Sequence, residues 1–584
     1  MNFEKEVSIV LGGAAGQGIQ TIEESLTKIL KLSGYNVFAT KEYMSRVRGG
    51  INTTEIIISS EKRRSFLKRI DLLVTFKKGV LNHLKDRISD KTVIFGEKKN
   101  IDEEFKNNKN IIDIPIQEIS EKIGNVLFSN TVGSGIILGI FDCDLELFNN
   151  YLENKFSKKG EEIVNKNLEA AKEGYLLGKK ILKDLDLKIN LEKNGKLKDE
   201  IVLSGTEAVA LGSAKAGCNF VSFYPMTPST GVSTFLASHS KDLGIIVEQV
   251  EDEISAINMA IGAGYAGARG LVTTSGGGFS LMCEAVSLSG MTETPVVIYL
   301  AQRPGPSTGL PTRTAQGDLE LALYSGHGEF PKIIYSPGKI EDCHNISQIA
   351  FNTADKYQVP VFILSDEYLA DTFYNLSDTE LKDVKKENYI VKTDFNYKRY
   401  KLTENPISER GIPGFGEGIV MICGNEHDEF GDITEDIDLI NKMTEKRNKK
   451  LDLIKKEVIE PEFIGNEGFK NLIVSWGTTY YPIKDALEKL NLTDTAFLHF
   501  SQVYPISDSA EKYLKKAEKV INIELNYSGQ LGRLLKREFG TEMHGSILKY
   551  DGRVFSVEEL IEKIEKVLMG RSSWKKIIFK ELKK

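Results

Sequence analysis

The feature that most constrains this chain is a rhythm: short apolar runs recur along most of its length, with helical stretches between them. In residues 1–185 the runs are VSIVLGG, NVFA, TEIIISS, IDLLVTF and KTVIFG. In 201–395 they are NFVSFYP, IIVEQV, RGLVTTS, TPVVIYL and QVPVFILS, and in 471–570 they are NLIVSWG, TAFLHF and VINIEL. Strands that alternate with helices imply helix-covered parallel sheets, so the predicted class is α/β. A chain of 584 residues exceeds what one core serves, and the three clusters of runs predict three α/β domains. Between the clusters the rhythm breaks. Residues 186–200, DLKINLEKNGKLKDE, are charged and read as a linker. Residues 396–470 read as an irregular connecting segment. The tail 571–584, RSSWKKIIFKELKK, is basic and amphipathic, and is expected to dock as a terminal helix rather than lie on a membrane.

Charge and cysteine usage narrow the function classes. The net charge is -7, from 76 basic and 83 acidic residues, which argues against a nucleic-acid partner. No apolar run reaches the ~18 residues needed to span a bilayer, and the start MNFEKEVSIVLGG has no long apolar signal core. A cytoplasmic protein without membrane partners is expected. The five cysteines, Cys143, Cys218, Cys283, Cys343 and Cys423, are scattered with no CxxC pair. A cysteine-ligated cluster or zinc ribbon built by this chain alone is therefore excluded, and a reducing compartment fits.

Several stretches could carry chemistry. GGAAGQG, Gly12 to Gly18, follows a strand and precedes a helix, where backbone N–H groups and the helix dipole favour an anion. Its spacing matches neither GxGxxG nor a P-loop, so a tight structural turn is an equal reading. SRVRGG, with Arg46 and Arg48 beside two glycines, offers a phosphate or acidic partner a site, or is a solvated turn. VSFYPMTPST ends a strand in a proline-stiffened, hydroxyl-rich turn, and ligands of open α/β sheets bind beyond strand carboxyl ends. Some twenty residues on, Glu248, Glu251 and Glu253 cluster at a strand-to-helix junction, where Asp252 or Glu253 could equally serve as a cap. TTSGGGFSLM then brings a glycine triplet into a helix. QRPGPSTGLPTRTAQGDLE sets Arg303, Arg313, Gln316 and Asp318 in one Pro/Gly loop, where arginine suits a carboxylate. His427, in GNEHDEFGD, sits among acids and is read as part of a local structural network, so no metal ligand is assigned.

The order YPMTPST, VEDEISAINMAIGAGYAG, TSGGGFSLMCEA, RPGPSTGLPTRTAQGDL resembles the pyrimidine-binding domain of the 2-oxoacid:ferredoxin oxidoreductases, which are thiamine-diphosphate enzymes. The likeness extends along nearly the whole chain. Residues 1–185, with GGAAGQGIQT and SRVRGG, resemble the family's gamma subunit. The segment around GNEHDEFGD resembles the alpha subunit before its last domain. VSWGTTYYPIKDAL and IELNYSGQL resemble its transketolase-C-like domain. This gamma-then-alpha fusion is typical of the branches that act on 2-oxoglutarate and a broad range of 2-oxoacids. The resemblance implies CoA-dependent oxidative decarboxylation of a 2-oxoacid, 2-oxoglutarate foremost, with electrons passed to ferredoxin. Pyruvate and branched-chain acids remain alternatives, as does a non-catalytic scaffolding paralogue.

By motif position Glu253 matches the glutamate that hydrogen-bonds the cofactor's pyrimidine ring, with Glu251 the nearer alternative and Glu248 the poorer one. Thr227 matches the threonine that contacts substrate. Arg313 is preferred as counter-charge for a 2-oxoglutarate-like acid, with Arg303 next. Gly13, Gly16, Gly18 and Arg48 are candidates for coenzyme A, and a structural role at a subunit interface is as good a reading of that domain. The chain has no GDG motif, the nearest string being YDGR at 550–553. The cofactor's diphosphate, Mg2+ and an iron–sulfur cluster are therefore expected on a beta subunit, in a heterodimer or a dimer of heterodimers.

Overall fold

The computed structural model of the 584-residue chain describes residues 2–14, 19–45 and 50–568. Two compact units result: one comprises residues 1–203, 371–380 and 556–558, and the other holds the remainder.

The first unit is built on β1 (Glu6–Ala14), β2 (Asn36–Glu42), β3 (Ile51–Ser59), β4 (Leu72–Thr75), β5 (Val93–Gly96) and β6 (Ile111–Asp113). Their order is β6-β5-β4-β1-β3-β2, continued by Phe373–Leu376 and Ile201–Ser204. This sheet is mixed, which corrects the parallel sheet expected from the sequence. β1 and β4 are parallel, but β3 runs antiparallel to both β1 and β2. The physical reason is connection length: residues 43–50 are too few for the roughly dozen-residue crossover that parallel neighbours need. Helix α1 (Ile19–Leu32) comes next in the chain. Helices α2 (Ser129–Ile140) and α3 (Glu161–Asp184) pack through glycine. A Cβ at Gly139 would collide with the Tyr175 carbonyl and one at Gly178 with the Ile136 carbonyl, so only glycine allows the approach. Residues 186–200 are not bare chain: Leu187, Leu191 and Leu197 are buried.

The second unit holds two sheets. The first contains β7 (Phe220–Phe223), β8 (Ile246–Gln249), β9 (Gly270–Thr274), β10 (Val296–Gln302), β11 (Ile333–Tyr335) and β12 (Pro360–Asp366). The second contains β13 (Glu462–Ile464), β14 (Asn471–Trp476), β15 (Thr495–Phe500), β17 (Lys519–Glu524) and β18 (Gly545–Leu548). A short strand, β16 (Gln502–Tyr504), leaves the second sequence block and adds antiparallel to β11, giving the order β8-β7-β9-β10-β12-β11-β16. The other sheet runs β13-β15-β14-β17-β18. One apolar core runs through both, from Ala256, Phe279 and Ile298 to Trp476, Leu498 and Leu531. Inside the segment expected to be irregular, Ile437–Ile454 forms an 18-residue helix, here α7, capped by Asp436, whose side chain accepts the Leu439 N–H. Among the described residues no helix is long and apolar enough to cross a membrane.

Candidate active site

The carboxyl ends of β7, β9 and β10 lie side by side, and each delivers a different element. β7 runs into the turn at 224–229 and then into α4 (Thr230–Ser238). The Thr227–Pro228 peptide is cis. The Ser229 hydroxyl donates to the Met226 carbonyl at 2.7 Å, so it ties the turn and does not cap the helix.

The three glutamates of the next junction part company in the fold. Glu248 is exposed on edge strand β8. Glu251 is exposed and accepts the Ser255 hydroxyl at 2.9 Å. Asp252 is the cap of α5 (Glu253–Tyr265), its carboxylate accepting the Ser255 N–H at 2.7 Å. Glu253 opens that helix and is only 4% exposed, yet its Oε1 has no hydrogen-bond partner among the described residues. A buried carboxyl oxygen without a partner costs free energy, which makes Glu253 a candidate to meet a group that this chain does not supply.

β9 leads into α6 (Gly276–Thr292), whose first turn is the glycine triplet. A Cβ on Gly278 would stand 2.5 Å from Glu253 Oε1, and one on Gly276 would stand 2.5 Å from Asp318 Oδ2. Glycine is thus required for both carboxyl groups to reach the same helix start. Asp318 Oδ2 is also buried and without a partner among the described residues. Burial pushes the Asp318 carboxyl up to about 6, against the pull of the Arg303 guanidinium. Burial in turn lowers Arg303, which Asp318 counters.

β10 ends at Gln302, and the loop 303–318 begins there. Arg303 donates to the Thr227 carbonyl at 2.7 Å, so the structure brings these two predicted residues together with Glu253 and Asp318 around the start of α6. Arg313 lies beside Gly552: its Cβ and Cγ pack there, and its guanidinium donates to the Thr312 carbonyl at 2.9 Å. Asp318 stood in the quoted loop motif without a role, because nothing in its sequence neighbours signals that it returns beside β10. Its own N–H, donated to Gln302 Oε1 at 3.0 Å, makes that return.

In the first unit Gly13 lies within β1, paired with Asn52 of β3. Gly16, Gly18 and Arg48, and the tail 571–584, lie outside the described residues. His427 is fully buried; its Nδ1 is 2.9 Å from the Asn425 carbonyl and its ring lies against Tyr400, tilted by 35°, with centroids 3.8 Å apart. Among the described residues no group of three or more His, Cys, Asp or Glu is arranged to hold a metal ion.

Comparison with known proteins bears on this arrangement. Residues 211–446 match the family model described as "Pyruvate flavodoxin/ferredoxin oxidoreductase, thiamine diP-bdg", and residues 8–177 match "Pyruvate ferredoxin/flavodoxin oxidoreductase". The chain is 33% identical to a 2-oxoacid:ferredoxin oxidoreductase subunit alpha of Sulfolobus sp, over 96% of this chain and 97% of that one. It is 34% identical to the 2-oxoglutarate synthase subunit KorA of Methanocaldococcus jannaschii, over 56% of this chain and 88% of that one. Its structure resembles the 2-oxoglutarate:ferredoxin oxidoreductase from Magnetococcus marinus solved with 2-oxoglutarate, coenzyme A and succinyl-CoA bound. The TM-score is 0.88 at 28% identity, covering 97% of this chain and 100% of that one.

Proposed function

The chain belongs to the 2-oxoacid:ferredoxin oxidoreductases, as an alpha subunit, and from that premise we propose that it supplies the pyrimidine half of a thiamine diphosphate site. There a 2-oxoacid, 2-oxoglutarate first among them, is oxidatively decarboxylated to its acyl-CoA and CO2, with electrons passed to ferredoxin. The observation that carries the reading is Glu253: a buried carboxyl with an unpartnered Oε1, held over a glycine helix start at strand carboxyl ends. These residues fit the cofactor's pyrimidine ring, which needs a buried acceptor and a wall without side chains.

Thiamine diphosphate, when bound, supplies the carbon nucleophile and the electron sink for decarboxylation. This chain's share is proton handling and orientation. Glu253 Oε1 is the atom that exchanges a proton with the pyrimidine ring, and its burial keeps competing water away. The Thr227 hydroxyl donates to the 2-oxoacid, on a turn that Arg303 holds through the Thr227 carbonyl. Arg303 also supplies counter-charge to the substrate carboxylate. Arg313, on the same loop, is the candidate for the second carboxylate of 2-oxoglutarate. Coenzyme A is assigned to the first unit, through Gly13, Gly16 and Gly18 of the glycine-rich sequence before α1 and through Arg48, because helix starts and arginine suit phosphates.

The other half of the site belongs to a beta subunit. The absence of GDG supports this, as do the exposed apolar side chains Ile254 and Met259 on α5 and Leu281 on α6. The beta subunit carries the diphosphate, Mg2+ and an iron–sulfur cluster, in a heterodimer or a dimer of heterodimers. The test is co-expression with that subunit, followed by anaerobic assay of several 2-oxoacids with coenzyme A and a viologen dye. Turnover with 2-oxoglutarate at the highest kcat/KM is expected. No turnover of any 2-oxoacid by the cofactor-loaded complex overturns the proposal.

A further inference from the structure

The C-terminal motifs VSWG and IELNYSGQL take no part in the chemistry so far. In the structure they lie against the loop that carries Arg303 and Asp318. The contact centres on Gln316, which is 0% exposed. Its Nε2 donates to the Trp476 carbonyl at 2.7 Å, and its Oε1 accepts the Leu525 N–H at 2.9 Å. Its backbone N–H donates to the Leu525 carbonyl at 2.8 Å, and its carbonyl accepts Asn526 Nδ2 at 2.9 Å. Beside it, the Thr314 N–H donates to the Gly552 carbonyl at 3.1 Å and Gln530 Nε2 donates to the Gly317 carbonyl at 2.9 Å.

Two of the residues that receive Gln316, Trp476 and Asn526, are themselves fixed by one carboxylate. Glu524, also 0% exposed, accepts Trp476 Nε1 at 3.1 Å, Asn526 Nδ2 at 2.8 Å and Asn522 Nδ2 at 2.8 Å. It also accepts the N–H groups of Leu531 and Gly532 in the first turn of α8 (Gln530–Phe539) at 3.0 and 3.1 Å. The loop contains Gly305, Gly309 and Gly317, whose backbone freedom makes it costly to order. It is closed on itself by the Leu310 N–H on the Pro304 carbonyl and by Asp318 on Gln302, and it is fastened outside itself at Gln316, two residues before Asp318.

We infer that Gln316 is a positioning residue for 2-oxoacid binding: it fastens the loop to the C-terminal block, whose Glu524 holds the receiving groups, and so fixes where Arg303 meets Thr227. This rests on the reading that Arg303 and Thr227 bind the 2-oxoacid. The substitution Gln316→Met keeps the volume and removes both side-chain hydrogen bonds. Two readouts follow on the full chain. Trypsin cleavage at Arg313–Thr314, scored by mass, should quicken by about tenfold, the scale of losing one or two net hydrogen bonds. In the complex with the beta subunit the KM for the 2-oxoacid should rise by a similar factor, with the KM for coenzyme A unchanged. Gln530→Ala, at the edge of the same contact, should shift both in the same direction by less, and serves if the first variant does not fold. Unchanged cleavage, or a lowered melting temperature with the 2-oxoacid KM unmoved, overturns the inference. The cleavage readout needs no turnover, so it decides the fastening even if the wild-type complex turns over no 2-oxoacid and the functional reading fails.

Discussion

Glu253 and Glu293 are buried glutamates of the same unit, 4% and 1% exposed, and they are treated in opposite ways. Glu293 is saturated. Its carboxylate lies 2.6 Å from Lys446 Nζ and 2.5 Å from Lys450 Nζ, both buried, while its carbonyl accepts Arg399 at 2.7 Å. Burial alone would raise the Glu293 carboxyl, but Lys446, Lys450 and Arg399 hold it far below the usual carboxylate range. Glu253 has a bare oxygen against glycine, and nearby Asp318 repeats the pattern. One region therefore spends its charges on holding α7 to the end of α6, and the other withholds its hydrogen bonds from the protein. Between these two glutamates it is the number of partners, not burial, that differs.

The sharpest way to break this contrast is Glu253→Gln. Turnover of the complex should fall by about 10²–10⁴-fold while the melting temperature stays near that of wild type, since no internal hydrogen bond is lost. Near wild-type turnover would remove Glu253 from the chemistry. In the other region, Glu293→Gln should do the reverse. It leaves two buried lysines undercompensated and should cost about 3–5 kcal/mol in denaturant unfolding, with kcat preserved in the molecules that fold. A stability change well under 1 kcal/mol would mean that the ion cluster is not what holds the helix.

The smallest effect concerns pH, where the two regions should differ in sign. Asp318 is raised from 3.8 to about 6 in the folded state, so the folded chain binds that proton more tightly than the unfolded one. Its contribution is fully present below about pH 4 and is lost as pH rises through 6. Wild type compared with Asp318→Asn should therefore lose on the order of 2 kcal/mol of relative stability between pH 4 and pH 7. Glu293 is depressed, so its contribution is present above about 4.5 and is lost only as the solution is acidified below that value. Parallel curves for wild type and Asp318→Asn would show that the raised carboxyl is not coupled to folding.

Much of this was legible in one dimension. Each of the five apolar runs read in 201–395 overlaps an observed strand, and the glycine triplet does open a helix. β6, β11, β13 and β16 were not read, because strands of three residues carry too little pattern to stand out, and β18 was not read either. The antiparallel run of β3 was missed because the sequence shows that a connection is short only after the partner strand is known.

The sequence by itself determined the α/β class, the family and the residue types available for chemistry, because these depend on periodicity, on motif order and on short-range spacing. Only the tertiary structure decided which of them meet. Glu248, Glu251 and Glu253 are near neighbours in sequence, and the fold buries the one that opens α5 and exposes the other two. Arg303 and Arg313 share a loop, and its folding turns one to Thr227 and the other to Gly552. Gln316 gained its role from Trp476 and Leu525, far along the chain. Partnering in a folded core is set by contacts between distant segments, and no local spacing encodes them.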